Sequence, residues 1–355
     1  MLTYIEEYYE NPTKKQRETF SQFLEKQGLE YEDKIEMTLK VINEATGEMI
    51  GTGSIDGNVI KCLAIDPKRR GEGLSAHILS LLVKEEYQRG RDHIFIFSHP
   101  KNIEETSGNV FAGFKVVSQT DDIVLLEMGS RTIDDYISDL KEKTKEIREK
   151  NLDEIGSVVV NCNPFTLGHQ YLIETAAKDC EFLYVFVVDE DRSTFPTDIR
   201  YQLIKKGTQH LDNVMVLHGG EYIISPATFP RYFMKDFDNI VLSQARLDVT
   251  IFAEYIASAL GITKRYVGNE PYCEVTNSYN QAMKEILIPQ GIKLEIIDRK
   301  SKNGEIISAS KVRQYLRDEE FEKIKPLVPE TTYDFLISDD AKPIIRLLKE
   351  NDSRH

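Results

Sequence analysis

Two short stretches carry residue types and spacings that can hold a phosphate chain. The first, Asn161 to Ala177, reads NCNPFTLGHQYLIETAA; it follows the β-branched run IGSVVV and leads into apolar residues at helical spacing. Asn163-Pro164 and Gly168 are turn residues, as a strand-to-helix loop needs. A helix N-terminus carries unpaired amides and about half a positive charge, which suits phosphate. Gly168 has no Cβ to block a close approach. His169, on the first helical turn, can donate an imidazole N–H to a phosphoryl oxygen, and Thr166 adds a hydroxyl. A plain capped helix with an incidental histidine would read the same way.

The second stretch, ISASKVRQYL, spans Ile307 to Leu316. Ser308 and Ser310 precede a helix whose first turn carries Lys311 and Arg313. That is another phosphate cradle of amides, hydroxyls and two cations, and arginine can fork onto two phosphate oxygens. A serine N-cap followed by exposed basic residues is the plainer alternative.

The elements around these stretches follow from hydrophobic spacing. The chain has 355 residues, room for two domains at about 150 residues each. From Ile155 onward strands alternate with helices, which implies an open parallel sheet covered by helices on both faces. The strands are IGSVVVN, EFLYVFVVD, NVMVLHG, NIVLSQ, KRYVG and IKLEIIDR; GHQYLIETAAKD, TDIRYQLIKKGTQ, LDVTIFAEYIASALG and VTNSYNQAMKEILIPQG are helices. SASKVRQYLRD and EEFEKIKPLV close the domain as helices. In such sheets ligands bind beyond the carboxyl ends of the strands. That edge also receives Gly268 and Glu270 after one strand, Arg299 after the last, and Arg246 after NIVLSQ, all candidate contacts.

Before residue 130 the order differs. A helix with Thr13 as N-cap and Gln16 three residues on is followed by hairpin strands IEMTLKVI, GEMIGTGSI and NVIKCLAI. A basic glycine turn, DPKRRGEG, opens an amphipathic helix, and HIFIFS and DIVLLEM are further strands. The expected organisation is one α/β domain over 1–130, a connector helix over 131–152, a second domain over 153–340 and a tail over 341–355.

Lys and Arg number 45 against 59 Asp and Glu, a net charge of -14. That argues against broad nucleic-acid binding, which needs a basic face. No apolar run approaches the roughly 20 residues that span a bilayer, and the N-terminus has no signal-peptide pattern. A cytoplasmic protein is expected, with no membrane or nucleic-acid partner. The four cysteines lack C-x-x-C spacing and read as reduced core or loop residues; Cys162 stands out only by its place in the phosphate loop. His77, His210 and His218 read as ordinary packing or surface residues.

Together, T-x-G-H after a first strand and a late I-S-x-S-x-x-R resemble the nucleotidyltransferase superfamily. The resemblance implies a Rossmann-like, doubly wound parallel sheet. It also implies ATP with Mg2+, phosphates between the two motifs, attack at the α-phosphate and departure of pyrophosphate. His169, Thr166 and Arg313 take catalytic roles; Asn163, Phe165, Gly168, Ser308, Ser310, Lys311, Gly268 and Glu270 contact the nucleotide. Two departures stand out: Thr166 replaces the histidine of many members, and Ala309 replaces a hydroxyl. No protein metal cage is needed, since Mg2+ is commonly held by substrate phosphates.

In the first domain, Arg70, Gly71, Gly73 and Ser75 resemble the acyl-CoA loop of the GNAT acetyltransferases, with Ser75 where that family has Gly or Ala. Asn109 to Val117, with its Gly113-Phe114 pair, resembles a later GNAT segment. A GNAT-like α/β domain joined to a nucleotidyltransferase domain resembles the citrate lyase ligase family across essentially the whole chain. That resemblance implies an acid–thiol ligase. Acetate and ATP would acetylate the CoA-like prosthetic group on the acyl carrier subunit of citrate lyase, releasing AMP and diphosphate. Arg70 to Ser75 would hold the CoA-like arm. The alternatives are an adenylyltransferase acting on a phosphopantetheine or mononucleotide, a GNAT enzyme acetylating an amine, and a nucleotide sensor without turnover.

Overall fold

The first phosphate-binding candidate lies where a five-stranded parallel sheet reverses its strand order. A computed structural model describes residues 3–32, 35–105, 111–189, 193–225, 227–228, 237–269, 274–298, 301–302 and 305–350. It divides into two compact units: residues 1–138 with 226–251, and residues 139–225 with 252–355. No described helix is long and apolar enough to cross a membrane.

In the first unit the elements run β1 (Tyr4–Glu10), α1 (Lys14–Glu25), β2 (Met37–Asn43), β3 (Met49–Asp56), β4 (Val59–Ile65), α2 (Leu74–Gln88), β5 (His93–Ser98), α3 (Pro100–Glu105), β6 (Lys115–Gln119) and β7 (Val124–Gly129). They form a seven-stranded sheet, order β1-β2-β3-β4-β5-β7-β6. Thr13 caps α1 as expected, its backbone N–H donating to the Gln16 side chain at 2.8 Å. The core is aliphatic: Leu39, Val41 and Ile60 from the sheet meet Ile78 and Leu82 from α2. β4 and β5 are parallel yet pair at only Val59↔Phe95 and Ile60↔Ile96, so they part toward their carboxyl ends. Cys62, at φ 54°, bulges β4 where that pairing stops.

Residues 131–152, expected as one connector helix, form α4 (Ile133–Lys143) and α5 (Lys145–Arg148). The break falls at Thr144, whose hydroxyl donates to the Leu140 carbonyl at 2.7 Å. Such back-bonding competes with the helix ladder. The division between units falls inside α4, after Ser138.

The second unit contains β8 (Ile155–Val160), α6 (Leu167–Lys178), β9 (Phe182–Val187), α7 (Thr197–Gly207) and β10 (Val214–His218). Next in the chain come α8 (Phe237–Ile251), a π-helical turn over Phe252–Ala257, and α9 (Ser258–Leu260). β11 (Lys264–Gly268), α10 (Glu274–Leu287), β12 (Lys293–Ile297) and the short hairpin β13 (Ser301–Lys302) and β14 (Glu305–Ile306) lead to α11 (Ala309–Arg317), α12 (Phe321–Ile324), α13 (Glu330–Leu336) and α14 (Lys342–Glu350). The sheet order is β10-β9-β8-β11-β12, parallel throughout. The order reverses between β8 and β11, and doubly wound sheets bind ligands outside the carboxyl ends at that point. β9 is buried along its whole length, as a strand covered on both faces must be.

Two expectations are corrected. NIVLSQ is no strand but part of α8, which groups with the first unit. There Ser243 donates to Asp122 at 2.9 Å. A six-residue apolar run does not separate strand from buried helix, and Ser243, Gln244, Ala245, Leu247 and Asp248 are all buried. The expected tail forms α14 through Glu350, and its Ile344 and Leu348 join Val312, Leu316, Ile324 and Leu336 in one apolar cluster. That cluster seats α11, and therefore Arg313.

Candidate active site

The loop after β8 is built inward before it is built outward. Phe165, expected among the nucleotide contacts, is fully buried. A Cβ on Gly207 of α7 would lie 2.3 Å from its ring, so α7 approaches the loop only because that position is glycine. The Phe165 and His169 rings stack with centroids 6.1 Å apart and planes 15° apart. Asn163 is also buried, and its side-chain oxygen accepts the Phe195 N–H at 3.0 Å. Phe165 and Asn163 shape the loop from beneath. Cys162 is buried with its thiol pKa pushed up by burial, which makes it a core residue rather than a nucleophile.

Thr166 is the N-cap of α6. Its backbone N–H donates to His169 Nδ1 at 3.1 Å, and its hydroxyl lies 3.0 Å from the same nitrogen. The His169 N–H returns to the Thr166 hydroxyl at 3.4 Å. This reciprocal cap fixes the ring's tautomer. An amide can only donate, so Nδ1 must accept and a neutral His169 carries its proton on Nε2. His169 is therefore set as a donor. The same cap narrows the expected amide cradle. The amides of Thr166 and His169 are engaged within the cap, and that of Leu167 donates to the Leu327 carbonyl at 2.9 Å.

The second motif meets the first here. A Cβ on Gly168 would stand 3.2 Å from the Ile307 carbonyl oxygen, so the missing side chain is what admits the second motif. Arg313 reaches back from α11 and donates to the Asn163 carbonyl at 2.5 Å. Burial, then the like charge of Arg317, pushes the Arg313 pKa below the ordinary arginine value. A cation in that condition favours an arriving anion. Ser308 caps α11, accepting the Lys311 N–H at 3.3 Å, and its hydroxyl lies 3.1 Å from that of Ser310. Lys311 Nζ stands 6.0 Å from the centre of the Tyr315 ring.

Arg200 carried no signal in the sequence. It is fully buried. Its guanidinium donates to the carbonyls of Phe195 (2.9 Å), Asn161 (2.9 Å) and Val188 (2.7 Å), to the Asn161 side chain (2.9 Å) and to the Thr197 hydroxyl (2.7 Å). It ties the loops after β8 and β9 to the start of α7. A basic residue on an amphipathic helix reads as solvated, and only its burial reveals this role.

The other expected contacts divide. Gly268 ends β11 at the switch point with open space where a Cβ would be; Glu270 and Arg299 lie outside the described residues. Arg246 sits in the body of α8, in the first unit, its carbonyl accepting the Thr250 hydroxyl at 2.7 Å. No strand delivers it to the sheet edge. In the first unit Gly71 and Gly73 adopt φ 84° and 77°, left-handed backbone that favours glycine. Gly73 is the N-cap of α2, Ser75 follows on its first turn, and Arg70 is exposed. The three histidines expected to be ordinary packing or surface residues make carboxylate contacts: His77 with Glu6 at 2.7 Å, His210 with Glu174 at 3.0 Å and His218 with Asp189 at 2.8 Å.

Known proteins are similar to this chain in sequence. The family model for the citrate lyase ligase C-terminal domain matches residues 155–336. Citrate (pro-3S)-lyase ligase of Klebsiella pneumoniae is 40% identical over 329 residues, covering 91% of this chain and 93% of that protein. Its counterpart in Escherichia coli (strain K12) is 37% identical over 321 residues, 89% of each. Among solved structures, Thermotoga maritima TmcAL bound with alpha-thio ATP is similar over 54% of this chain and 57% of its own, at 14% identity and a TM-score of 0.37. The chain belongs to the citrate lyase ligase family.

Proposed function

We propose that this protein is the AMP-forming acetate–thiol ligase that activates citrate lyase. Acetate, ATP and the thiol form of the lyase become acetyl-lyase, AMP and diphosphate. One observation carries the reading, in a chain with family relatives along nine-tenths of its length. The two phosphate motifs, about 140 residues apart in sequence, abut through Gly168 and Ile307 and are tied by Arg313 to Asn163.

The chemistry has two steps. An acetate oxygen attacks the α-phosphorus of ATP, forming the C–O–P linkage of acetyl-adenylate as the bond to diphosphate breaks. The thiol sulfur then bonds to the acetyl carbon and AMP leaves. In the first step His169 Nε2–H donates to a phosphoryl oxygen as charge accumulates, and Thr166 holds the imidazole in the donating tautomer. Arg313, with Ser308, Ser310 and Lys311, receives the departing diphosphate. Such catalysis is positioning and electrostatic stabilisation. Mg2+ enters with ATP, held by phosphates and water. Gly268, at the end of β11, faces the nucleotide at the switch point; Glu270, two residues on, and Arg299, after β12, are assigned to the same pocket from the sequence alone.

The CoA-like arm on the carrier subunit of the lyase is taken up by Arg70, Gly71, Gly73 and Ser75. The support is a left-handed glycine turn opening α2 beside strands that part at their carboxyl ends. Such a turn presents amides to a diphosphate. ATP and acetate are small cytoplasmic metabolites, and the cytoplasm is where this reaction belongs.

Isotope exchange between pyrophosphate and ATP tests the first step. The proposal expects exchange that depends on acetate. Exchange driven instead by phosphopantetheine or a nicotinamide mononucleotide, with acetate inert, would assign the protein to adenylyl transfer onto a phosphate.

A further inference from the structure

A second histidine stands on the same sheet edge in the opposite tautomer. His218 is the last residue of β10, and its Nδ1 lies 2.8 Å from Asp189 Oδ1. A carboxylate can only accept, so Nδ1 carries the proton and the lone pair of a neutral His218 is on Nε2. Asp189 is itself aimed, because its other oxygen accepts the Gly220 N–H at 2.8 Å. The imidazole also stacks on Tyr201, with centroids 4.4 Å apart and planes 8° apart, while the Tyr201 hydroxyl donates to the Val216 carbonyl at 3.2 Å. Gly219 keeps this corner closed: a Cβ there would stand 2.9 Å from the Val187 carbonyl oxygen. Base, orienting carboxylate and ring support are all in place, and 43% of the His218 side chain remains exposed.

Register places this dyad relative to the phosphate loop. His218 pairs with Val187, and Val187 pairs with Val160, the residue before Asn161. Two strand spacings of about 4.8 Å put His218 roughly 10 Å from the start of that loop along the sheet edge. His169 is fixed as a donor and His218 as an acceptor. The ligase reaction needs one of each: a donor for the phosphoryl oxygen and a base for the incoming thiol.

We infer that His218, oriented by Asp189, is the general base that activates the thiol in the acetyl-transfer step. The inference rests on the ligase reading above. Nε2 takes the S–H proton as sulfur bonds to the acetyl carbon. The bond from that carbon to the AMP oxygen breaks, and AMP leaves with the electron pair. The proton remains on the imidazole, whose charge Asp189 balances, until solvent removes it. Base, orienting group and nucleophile then follow the division of roles seen wherever a weak nucleophile is activated.

The test separates the two steps with the full-length protein. Chemically prepared acetyl-adenylate is mixed with the protein and deacetylated citrate lyase in a single turnover, and the lyase thioester is measured. His218→Gln is expected to slow transfer by about 10²–10⁴-fold, the usual range for losing a general base. It keeps the parent's acetate-dependent ATP–pyrophosphate exchange. Asp189→Asn, which retains size but reverses the hydrogen bond's polarity, slows transfer with exchange preserved. Transfer at the parent rate in both variants overturns the inference. Exchange and transfer falling in step also overturn it, because that pattern marks a structural pair. If the parent protein itself makes no acetyl-lyase, the ligase reading has failed instead.

Discussion

Replacing Arg200 by methionine removes the buried cation that ties the loops after β8 and β9 to the start of α7. Methionine fills similar volume without a donor. The guanidinium satisfies three backbone carbonyls, those of Asn161, Val188 and Phe195. A buried acceptor left without a donor costs about 1–3 kcal/mol, so three cost about 3–9 kcal/mol. Against that, desolvating a buried charge costs several kcal/mol, which the variant recovers. The two effects together leave a net loss of about 3 kcal/mol. At about 2–4 °C per kcal/mol for a domain of this size, melting falls by roughly 10 °C. Thermal unfolding followed by circular dichroism reads the shift, and ATP–pyrophosphate exchange at 25 °C reads the site. We expect exchange to fall further than stability alone explains, since the loop bearing His169 loses its anchor at Asn161. An Arg200→Met protein melting within about 2 °C of the parent, with normal exchange, would mean that Arg200 does not anchor these loops.

Three further outcomes are expected. His169→Ala lowers acetate-dependent exchange by about 10²–10³-fold, the cost of one transition-state donor, without changing the melting profile by more than a cap's worth; near-normal exchange removes His169 from the mechanism. Arg70→Glu with Gly73→Asp raises the apparent KM for citrate lyase while leaving that for ATP unchanged; an unaltered KM for the lyase rules out this loop as the seat of the arm. The last concerns Glu86 in the first unit. It is fully buried, with one oxygen 3.2 Å from Arg91 and the other without a hydrogen-bond partner among the described residues. Burial raises its pKa from 4.5 to about 7, against the opposing pull of Arg91. The folded protein therefore binds the extra proton between those values, so stability falls as pH rises through that window and is level above it. Urea unfolding at pH values on either side should show this fall in the parent and lose it in Glu86→Gln; an identical fall in the variant assigns it elsewhere.

The chemistry-bearing loops were legible because local rules build them. Turn residues, a cap and a helical apolar stripe mark Asn161 to Ala177 without help from the rest of the chain. The capping exchange between Thr166 and His169 follows the same three-residue logic. What escaped was tertiary. β1 reads YIEEYYE and leaves Tyr4, Ile5 and Tyr8 exposed, so no alternation announced it. NIVLSQ is apolar enough for either a strand or a buried helix, and the structure resolves it as helix. Arg200 looked like any charge on an amphipathic helix, and its meaning depends on carbonyls from two other loops. His218 looked ordinary for the same reason, since its partner Asp189 lies on the neighbouring strand's end and not nearby in sequence. Phe165 was correctly placed in the loop, yet its burial assigns it to the loop's foundation.

The most direct test combines the protein with ATP, Mg2+, acetate and deacetylated citrate lyase, and follows four quantities together: AMP, pyrophosphate, thioester on the lyase and recovered lyase activity. AMP, pyrophosphate and thioester are expected in equal amounts, with lyase activity returning in proportion to the thioester. Pyrophosphate without AMP, with the adenylyl group retained on a phosphorylated acceptor, would show that the protein is not an acetate–thiol ligase.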